Sequence, residues 1–373
     1  MKVHVFYTGW VAPDHKSFTT GGVQTYLLNL SKVFKEEGYD EFHYYRGSDV
    51  NNDVVIEGVY VHELKTRLGH GVIKRVFNHY KGLIDKKDDI VLFADDYLST
   101  KALDYNSISI QHGIFWDVPL DDKKTFLSFF CCFIKKNIYA WLRMMHIRNV
   151  RMVVCVDYNF KNWFKATFPN INKVGKIKVI PNFTQIMDEV KKPNDVINII
   201  FARRFETFRG TRVFGQAIRR ILSEYGNVYV TIAGWGCDSE WLHTELDSFC
   251  NVSFIEYKSE ESLKVHMDKH IAIIPTIGSE GTSLSLLEAM SAQCAVITSD
   301  VGGITNIVVD GYNGLMTPAG DVEALYQAIK FLLNNPHEMK RLSSNAYEMV
   351  KSSFSYEKWK MEWKKVIKEV KQI

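Results

Sequence analysis

Short apolar runs alternate with amphipathic stretches along most of the chain. Runs such as Val3 to Tyr7, Ile90 to Ala94 and Ile271 to Pro275 are brief and apolar, which is typical of strands buried in a parallel sheet. Stretches with apolar residues three and four positions apart follow many of these runs, as expected for helices packed on such a sheet. The alternation predicts an α/β fold built from doubly wound, Rossmann-like units.

The alternation halts in a polar segment and then restarts, which indicates two domains. A chain of 373 residues is also too long for one ordinary core. We expect two such domains to face each other across a cleft that binds a ligand. The predicted parts are an N-terminal Rossmann-like domain at 1–183, a linker at 184–195, a C-terminal Rossmann-like domain at 196–353 and a C-terminal helix at 354–373.

Composition narrows the class of protein further. A formal charge of +3 is too small to indicate a nucleic-acid partner. The six cysteines form no CxxC pair and have no metal-ligand spacing, so we expect reduced thiols and no bound metal. No basic and apolar leader precedes the first strand, and no apolar run is long enough to span a membrane. These features predict a cytoplasmic protein.

The stretch from Ser279 to Met290 is the most informative in the chain. It follows the apolar run at 271–275 and predicts a loop and then a helix that opens near Gly281. Free backbone N–H groups and the helix dipole make such a terminus receptive to phosphate or sugar hydroxyls. Glu280 and Glu288 are eight residues apart, about two helical turns, which places them on nearly the same side.

Two arginines on the loop after the strand at 196–201 offer a matching positive charge. The planar guanidinium of Arg204 or Arg209 suits phosphate oxygens at any working pH. A diphosphate between these side chains would leave Glu288 to accept ribose hydroxyls and Glu280 to meet an attached sugar. The alternative for the pair is a surface salt bridge, and this is the reading that we adopt for Arg203. The arrangement indicates a nucleotide-sugar site that needs no metal.

Two features of the N-terminal half lie where a ligand would bind. Gly21 and Gly22 separate the first strand from a helix, and paired glycines at such a turn let the backbone approach a ligand. His112 ends another strand, on the edge where parallel sheets bind ligands. The alternatives are a flexible turn for the glycines and a structural role for the histidine.

A basic aromatic stretch at 121–151 differs from the rest of the chain. It interleaves seven Lys and Arg residues with phenylalanines, Tyr139 and Trp141, which would suit the surface of an anionic membrane. Core helices with solvated charges explain the pattern equally well. Basic residues at 65–87 could extend the same surface.

Together these motifs resemble the retaining glycosyltransferases of family 4, which have the GT-B fold of two Rossmann-like domains. The C-terminal half carries the resemblance through five motifs, which are Arg204-x4-Arg209-Gly210, Gly234-x-Gly236, Glu280-Gly-Thr-Ser with Glu288-Ala-Met, Asp300-Val-Gly-Gly and Asp310-Gly-Tyr-Asn-Gly. The N-terminal half adds Gly21-Gly22, Gln111-His112-Gly113 and Val179-Ile180-Pro181-Asn182. Asn306 departs from the glutamate that is common in the family.

The resemblance implies a role for each motif. The N-terminal domain at 1–183 would bind the acceptor, and the C-terminal domain at 196–353 would bind the nucleotide sugar. Arg204 and Arg209 would neutralise the leaving diphosphate. Glu280 would bind the donor sugar, and His112 would contact that sugar from the acceptor-binding domain. It also implies that the C-terminal helix returns to the N-terminal domain and that the acceptor attacks from the front face. The remaining donor-binding residues would be Gly22, Gly234, Gly281, Thr282, Ser283 and Glu288.

The expected activity is therefore retaining transfer of a hexosyl group from a nucleotide sugar, with UDP-sugars favoured, to a glycan or lipid-linked glycan. Bacterial surface polysaccharide synthesis is the expected setting, in the cytoplasm or at the inner face of the membrane. The alternatives are a GT-B epimerase or phosphorylase, or a non-catalytic scaffold at the membrane periphery.

Overall fold

The computed structural model describes residues 1–19, 21–114, 116–117, 126–170, 174–258, 261–278 and 280–372. The chain forms two compact units. The first comprises residues 1–116, 120–181 and 359–373, and the second consists chiefly of residues 182–358. Lys123 and Lys124 of the basic stretch and Ser279 lie outside the described residues.

The first unit is built on an eight-stranded sheet. Its strands are β1 (Lys2–Phe6), β2 (Glu41–Ser48), β3 (Asn52–Ile56), β4 (Val59–Lys65), β5 (Ile90–Phe93), β6 (Asn106–Gln111), β7 (Met152–Cys155) and β8 (Ile177–Val179). The order is β3-β4-β2-β1-β5-β6-β7-β8, and only β3 runs antiparallel to its neighbour. The sequence at 54–64, whose pattern is typical of a strand or a hairpin, forms the β3–β4 pair, whereas β2 was not predicted.

The helices described in this unit before residue 181 are α1 (Gly22–Glu36), α2 (Val72–Tyr80), α3 (Phe126–Met144) and α4 (Asn159–Thr167). One apolar cluster joins the sheet to α2, α3 and α4, with Phe93 and Val153 of the strands among Phe77, Ala140 and Phe160 of the helices. Burial of such residues, at about 25 cal/mol per Å² of apolar area, holds the helices on the sheet.

The second unit has a six-stranded parallel sheet. Its strands are β9 (Ile197–Ala202), β10 (Val228–Ala233), β11 (Val252–Ile255), β12 (Ile271–Ile274), β13 (Ala295–Ser299) and β14 (Leu315–Thr317). The order is β11-β10-β9-β12-β13-β14, and every recorded pairing is parallel. This is the doubly wound order, which reverses direction between β9 and β12.

Helices cover both faces of the second sheet. They are α5 (Thr211–Glu224), α6 (Ser239–Leu246), α7 (Leu284–Ser291), α8 (Val322–Asn334) and α9 (Pro336–Ser353). Phe201 faces a cluster that includes Phe214 of α5, whereas Ile200 faces one that includes Leu287 of α7 and Val350 of α9. Adjacent residues of β9 therefore point to opposite cores, as strand geometry requires. The predicted α/β class with two doubly wound domains is confirmed.

The structure shows to which unit two further segments belong. The polar stretch at 184–195, predicted as a linker, lies within the second unit, where Ser291 Oγ donates to the carbonyl oxygen of Gln185 and accepts from the backbone N–H of Met187. The last helix, α10 (Tyr356–Val370), places Trp359 and the residues after it in the first unit. There Trp363 Nε1 donates to the hydroxyl of Tyr26 at 2.8 Å.

Candidate active site

The loops that follow β9 and β12 meet where the strand order of the second sheet reverses. Ile277 donates its backbone N–H to the carbonyl oxygen of Phe208, at 2.9 Å, which joins the two loops. Gly210, with a φ of 79°, lies so close that an added Cβ would be 1.7 Å from the carbonyl oxygen of Pro275. A side chain at Gly210 would force these loops apart. Open α/β sheets bind their ligands at this reversal point.

Glu280 is the centre of a buried polar cluster at this point. Its Oε2 accepts hydrogen bonds from Arg203 Nη2 at 2.8 Å, from Thr276 Oγ1 at 3.1 Å and from Arg209 Nη1. Arg203 Nη1 also donates to Thr276 Oγ1 at 2.8 Å. The carboxylate therefore fixes the positions of both guanidinium groups.

The cluster carries a net positive charge. Burial alone would raise the pKa of Glu280, but the guanidiniums of Arg203 and Arg209 outweigh burial and hold that pKa below its usual value. One carboxylate then stands against two guanidiniums, which leaves one unit of positive charge. The side chain of Arg209 is 28% exposed, so this charge is accessible to an anion such as a phosphate.

The structure corrects the choice between the two adjacent arginines. Arg203, assigned to a surface salt bridge from sequence, is instead 7% exposed and bonded to Glu280. The side chain of Arg204 is 63% exposed, and its only ion pair in the described part of the chain is a 3.9 Å approach to Glu206. The pair brought together is therefore Arg203 with Arg209, and Arg204 lies outside the cluster.

Predicted loop residues surround Glu280, but the helix begins later than expected. α7 begins at Leu284 rather than near Gly281, with Ser283 as its N-cap. Thr282 and Ser283 are buried, and the Thr282 carbonyl oxygen accepts a hydrogen bond from Asn182 Nδ2 at 2.9 Å. Glu280 and Gly281 thus belong to a loop, and the spacing of a helix does not relate Glu280 to Glu288.

Glycines of a third loop make this arrangement possible. Gly303 donates its backbone N–H to the carbonyl oxygen of Glu280 at 2.8 Å. A Cβ on Gly302 would lie 2.4 Å from the same oxygen, and one on Gly303 would lie 2.4 Å from the Gly281 carbonyl oxygen. The glycine pair of the Asp300-Val-Gly-Gly motif therefore allows close backbone contact with the loop that carries Glu280.

Gly234 has a related role beside Arg203. It follows β10 with a φ of 136°, and a Cβ there would lie 2.2 Å from the Arg203 carbonyl oxygen. The residue lets the end of β10 pass the backbone of the buried arginine. Its predicted contact with the donor stays a prediction.

Glu288 forms a second polar centre on α7. Its Oε1 accepts a hydrogen bond from Ser262 Oγ at 2.7 Å. Burial raises the pKa of Glu288 to about 7, and the bond from Ser262 opposes this rise. Burial also raises the pKa of Tyr257 to about 12, with a further rise from the charge of Glu288 and an opposite effect of Arg203. Tyr257 therefore lies within electrostatic reach of both centres.

The first unit contains the other two predicted site residues. His112 directly follows β6, and its Nε2–H donates to the carbonyl oxygen of Ala94 at 2.9 Å. Its ring also packs edge-to-face on Tyr26. Burial lowers the pKa of His112 to about 4, so the ring is neutral at pH 7 and Nδ1 is its acceptor nitrogen. Gly22 is the first residue of α1, after the extended N-cap Gly21.

Sequence reasoning missed a buried charge cluster on the same edge of the first sheet. Asp95 and Asp96 follow β5, and Arg143 Nη2 of α3 lies 3.2 Å from Asp96 Oδ1 and 3.8 Å from Asp95 Oδ1. Burial and the neighbouring carboxylate raise the pKa of Asp95 to about 8. The available signal was the adjacent acid pair just after an apolar run.

No group of three or more His, Cys, Asp or Glu side chains within the described ranges is placed to hold a metal ion. None of the helices in those ranges is both long and apolar enough to cross a membrane.

Residues 182–349 match the sequence model of the family described as "Glycosyl transferases group 1". This range contains both polar centres and the loops that hold them. The match therefore falls within the second unit.

Two uncharacterized glycosyltransferases of Methanocaldococcus jannaschii are similar to the chain. One is 22% identical over 99% of this chain and 97% of its own length. The other is 27% identical over 60% of each, so the match spans less than two thirds of that relative. These relatives and the family match support a glycosyltransferase.

Solved structures show the fold. Sucrose-phosphate synthase from Thermosynechococcus elongatus superimposes with a TM-score of 0.74 at 16% identity, over 99% of this chain and 98% of the synthase. HepE of Anabaena, solved in complex with UDP-glucose, gives 0.70 at 13% identity over the whole of both chains. WaaB, a lipopolysaccharide outer core galactosyltransferase, gives 0.70 at 17% over 99% of both. The fold is GT-B.

Proposed function

We propose that the protein transfers a hexosyl group from a nucleotide sugar, with UDP-sugars favoured, to a glycan or lipid-linked glycan. The observation that carries this proposal is the net positive cluster of Arg203, Arg209 and Glu280 at the reversal point of the second sheet. A diphosphate bears negative charge on non-bridging oxygens that planar guanidinium groups bind well. HepE, a neighbour of the same fold, is described with UDP-glucose, which favours UDP.

Each of the two polar centres would bind a different part of the donor. Arg209, the more exposed of the two cluster arginines, would contact the diphosphate, and Arg203 would hold Glu280 in place beside it. Glu288 would accept the ribose hydroxyls once it is ionised, since acidic residues bind ribose in related nucleotide folds. The charges of Glu288 and Arg203 both affect the pKa of Tyr257, so Tyr257 would lie between the ribose and the diphosphate of the donor.

The reaction is a single transfer with retention of anomeric configuration. The bond from the anomeric carbon to the diphosphate oxygen breaks, and a bond to the acceptor oxygen forms on the same face. The acceptor's proton passes to the departing phosphate oxygen, so that the products are the glycoside and a nucleoside diphosphate. Positive charge at the leaving group is most valuable as that oxygen becomes anionic, and such stabilisation is commonly the largest catalytic contribution.

The setting that we propose is surface polysaccharide synthesis at the inner face of a bacterial membrane. The similarity to WaaB supports this setting. A GT-B phosphorylase would instead release a sugar phosphate. An epimerase would form no glycoside with an acceptor. A scaffold would release nothing.

Release of nucleoside diphosphate tests the proposal. Purified protein is incubated with UDP-glucose, UDP-galactose, UDP-N-acetylglucosamine and GDP-mannose, with and without a bacterial glycolipid extract, and nucleotides are separated by ion-exchange chromatography. We expect UDP release that the extract stimulates and that Arg209→Ala abolishes. Arg219→Ala serves as the control, because Arg219 lies exposed on α5 in an ion pair with Glu245. Absence of nucleoside diphosphate with every donor would contradict the proposal.

A further inference from the structure

Helix α3 presents an apolar ridge to solvent. Phe130, Ile134, Ile138 and Leu142 are spaced four residues apart, so their side chains form one row along the helix. Each is exposed, from 40% at Ile134 to 53% at Ile138. Phe133 and Trp141 are also exposed and lie beside this row, which makes a face of large side chains too extensive for scattered surface residues.

The opposite side of α3 is firmly attached to the first unit. Ala140 and Met144 are buried in its core, and Arg143 is buried against Asp96. These contacts fix the rotation of the helix about its axis. The apolar ridge therefore faces outward as a consequence of packing.

The sequence of the segment that contains α3 carries charge of one sign. Residues 123–156 contain seven Lys and Arg and no Asp or Glu, in a chain with 43 acidic residues. Lys135 lies exposed on α3. Neighbouring α4 adds the exposed Trp163, whose ring meets Trp116, and Trp116 in turn contacts Tyr139 of α3. Aromatic rings and lysines around an apolar stripe are the features of helices that lie in a membrane interface.

We propose that α3 binds an anionic lipid bilayer through this ridge, with the helix lying parallel to the surface. Its 19 residues span about 28 Å at 1.5 Å per residue, and three basic residues within it prevent it from crossing the bilayer. Lipid phosphates supply the negative charge that the segment lacks. A second copy of the chain would bring two carboxylate-free segments together, which their like charges oppose.

This binding would place the edge of the first sheet that carries His112 at the membrane. Arg143 joins α3 to Asp96 after β5, and Ala94 of the same segment accepts the hydrogen bond from His112. A lipid-linked acceptor held in the bilayer would then reach the edge that carries His112. This step rests on the proposed transferase function, whereas binding to lipid does not.

Sedimentation with vesicles tests the proposal on the full chain. Vesicles of phosphatidylcholine alone are compared with vesicles that also contain phosphatidylglycerol, at low and high salt. We expect binding only with the anionic lipid, weakened by salt. Replacing two ridge residues, Ile134→Ser with Ile138→Ser, is expected to weaken binding at least tenfold. Lys135→Glu should weaken it roughly twentyfold, since each unit of charge near an anionic surface is worth about fivefold.

Matched controls use exposed residues outside α3. Leu83→Ser with Val309→Ser removes apolar side chains that are more exposed than the two ridge residues, and Lys340→Glu reverses a charge on α9. Both control variants should bind vesicles like the wild type. Equal vesicle binding by the ridge variant and the wild type would overturn the proposal. So would self-association in sedimentation velocity, without lipid, that the ridge substitutions abolish, because the occupant would then be a second copy.

The two proposals fail separately. Normal release of UDP with no binding to anionic vesicles would reject the membrane surface alone. Salt-sensitive vesicle binding with no nucleoside diphosphate release from any donor would reject the proposed function and leave the lipid surface standing.

Discussion

Glu288 offers a prediction that joins stability to ligand binding. Its pKa is raised from 4.5 to about 7 by burial, so the folded state prefers the protonated side chain. The stability that this preference gives is fully present below pH 4.5 and is lost as the pH rises through 7. The difference of about 2.5 pKa units corresponds to roughly 3 kcal/mol, at 1.36 kcal/mol per unit.

The substitution Glu288→Gln removes this ionisation and keeps the shape and a hydrogen-bond acceptor for Ser262. At pH 8 we expect the ligand-free variant to be more stable than the wild type by up to about 3 kcal/mol. This gain corresponds to a melting temperature about 6–12 °C higher for a unit of this size. At pH 4.5 the gain should fall to about 0.4 kcal/mol, because the wild-type carboxyl is then protonated in the folded state and about half protonated in the unfolded state.

The same variant should bind the donor more weakly. An ionised carboxylate accepts both ribose hydroxyls, whereas an amide oxygen is a weaker and neutral acceptor. Wild-type affinity for UDP should rise with pH through 7 as Glu288 ionises, and the variant's affinity should not change over that range. Thermal melts at pH 4.5 to 8, with and without UDP, measure both effects. A variant that is destabilised at pH 8, or a stability difference independent of pH, would refute the reasoning.

Three further predictions concern single positions. Arg209→Ala is expected to reduce turnover at least hundredfold with an unchanged circular dichroism spectrum; activity equal to that of the control Arg219→Ala would contradict its role. Gly234→Ala places a Cβ 2.2 Å from a carbonyl oxygen at a φ of 136°. It should lower the free energy of unfolding in urea by at least about 2 kcal/mol. The control Gly226→Ala adds a Cβ in open space and should change this free energy by less than about 1 kcal/mol. Trp363→Phe removes the hydrogen bond to a tyrosine hydroxyl and should cost about 1 kcal/mol in the same assay, and no loss would show that apolar packing alone holds α10.

The sequence pattern was sufficient for β9 to β13 of the second unit, whereas β14 was not predicted. The run that begins at Ile271 is apolar on both faces because helices cover both sides of a parallel sheet, and β12 spans Ile271–Ile274 within it. The same property concealed which arginine points inward. A strand that is apolar throughout shows no alternation, so Arg203 and Arg204, just beyond β9, could not be told apart from the pattern.

Other errors arose where backbone contacts decide the structure. Composition marked 184–195 as a linker, but Ser291 fixes this segment to the second unit through backbone groups that no composition reveals. The helix predicted to open near Gly281 begins at Leu284 because the preceding loop packs against Gly302 and Gly303. That long-range contact could not be inferred from local spacing.

Calorimetric titration with UDP and with uridine tests most directly whether the Arg203, Arg209 and Glu280 cluster holds a diphosphate. Both ligands share the base and ribose that Glu288 would meet, and they differ only in the phosphates. UDP should bind at least a hundredfold more tightly than uridine, and Arg209→Ala should remove most of that difference. Equal affinity for the two ligands, or a difference that survives in Arg209→Ala, would contradict the account.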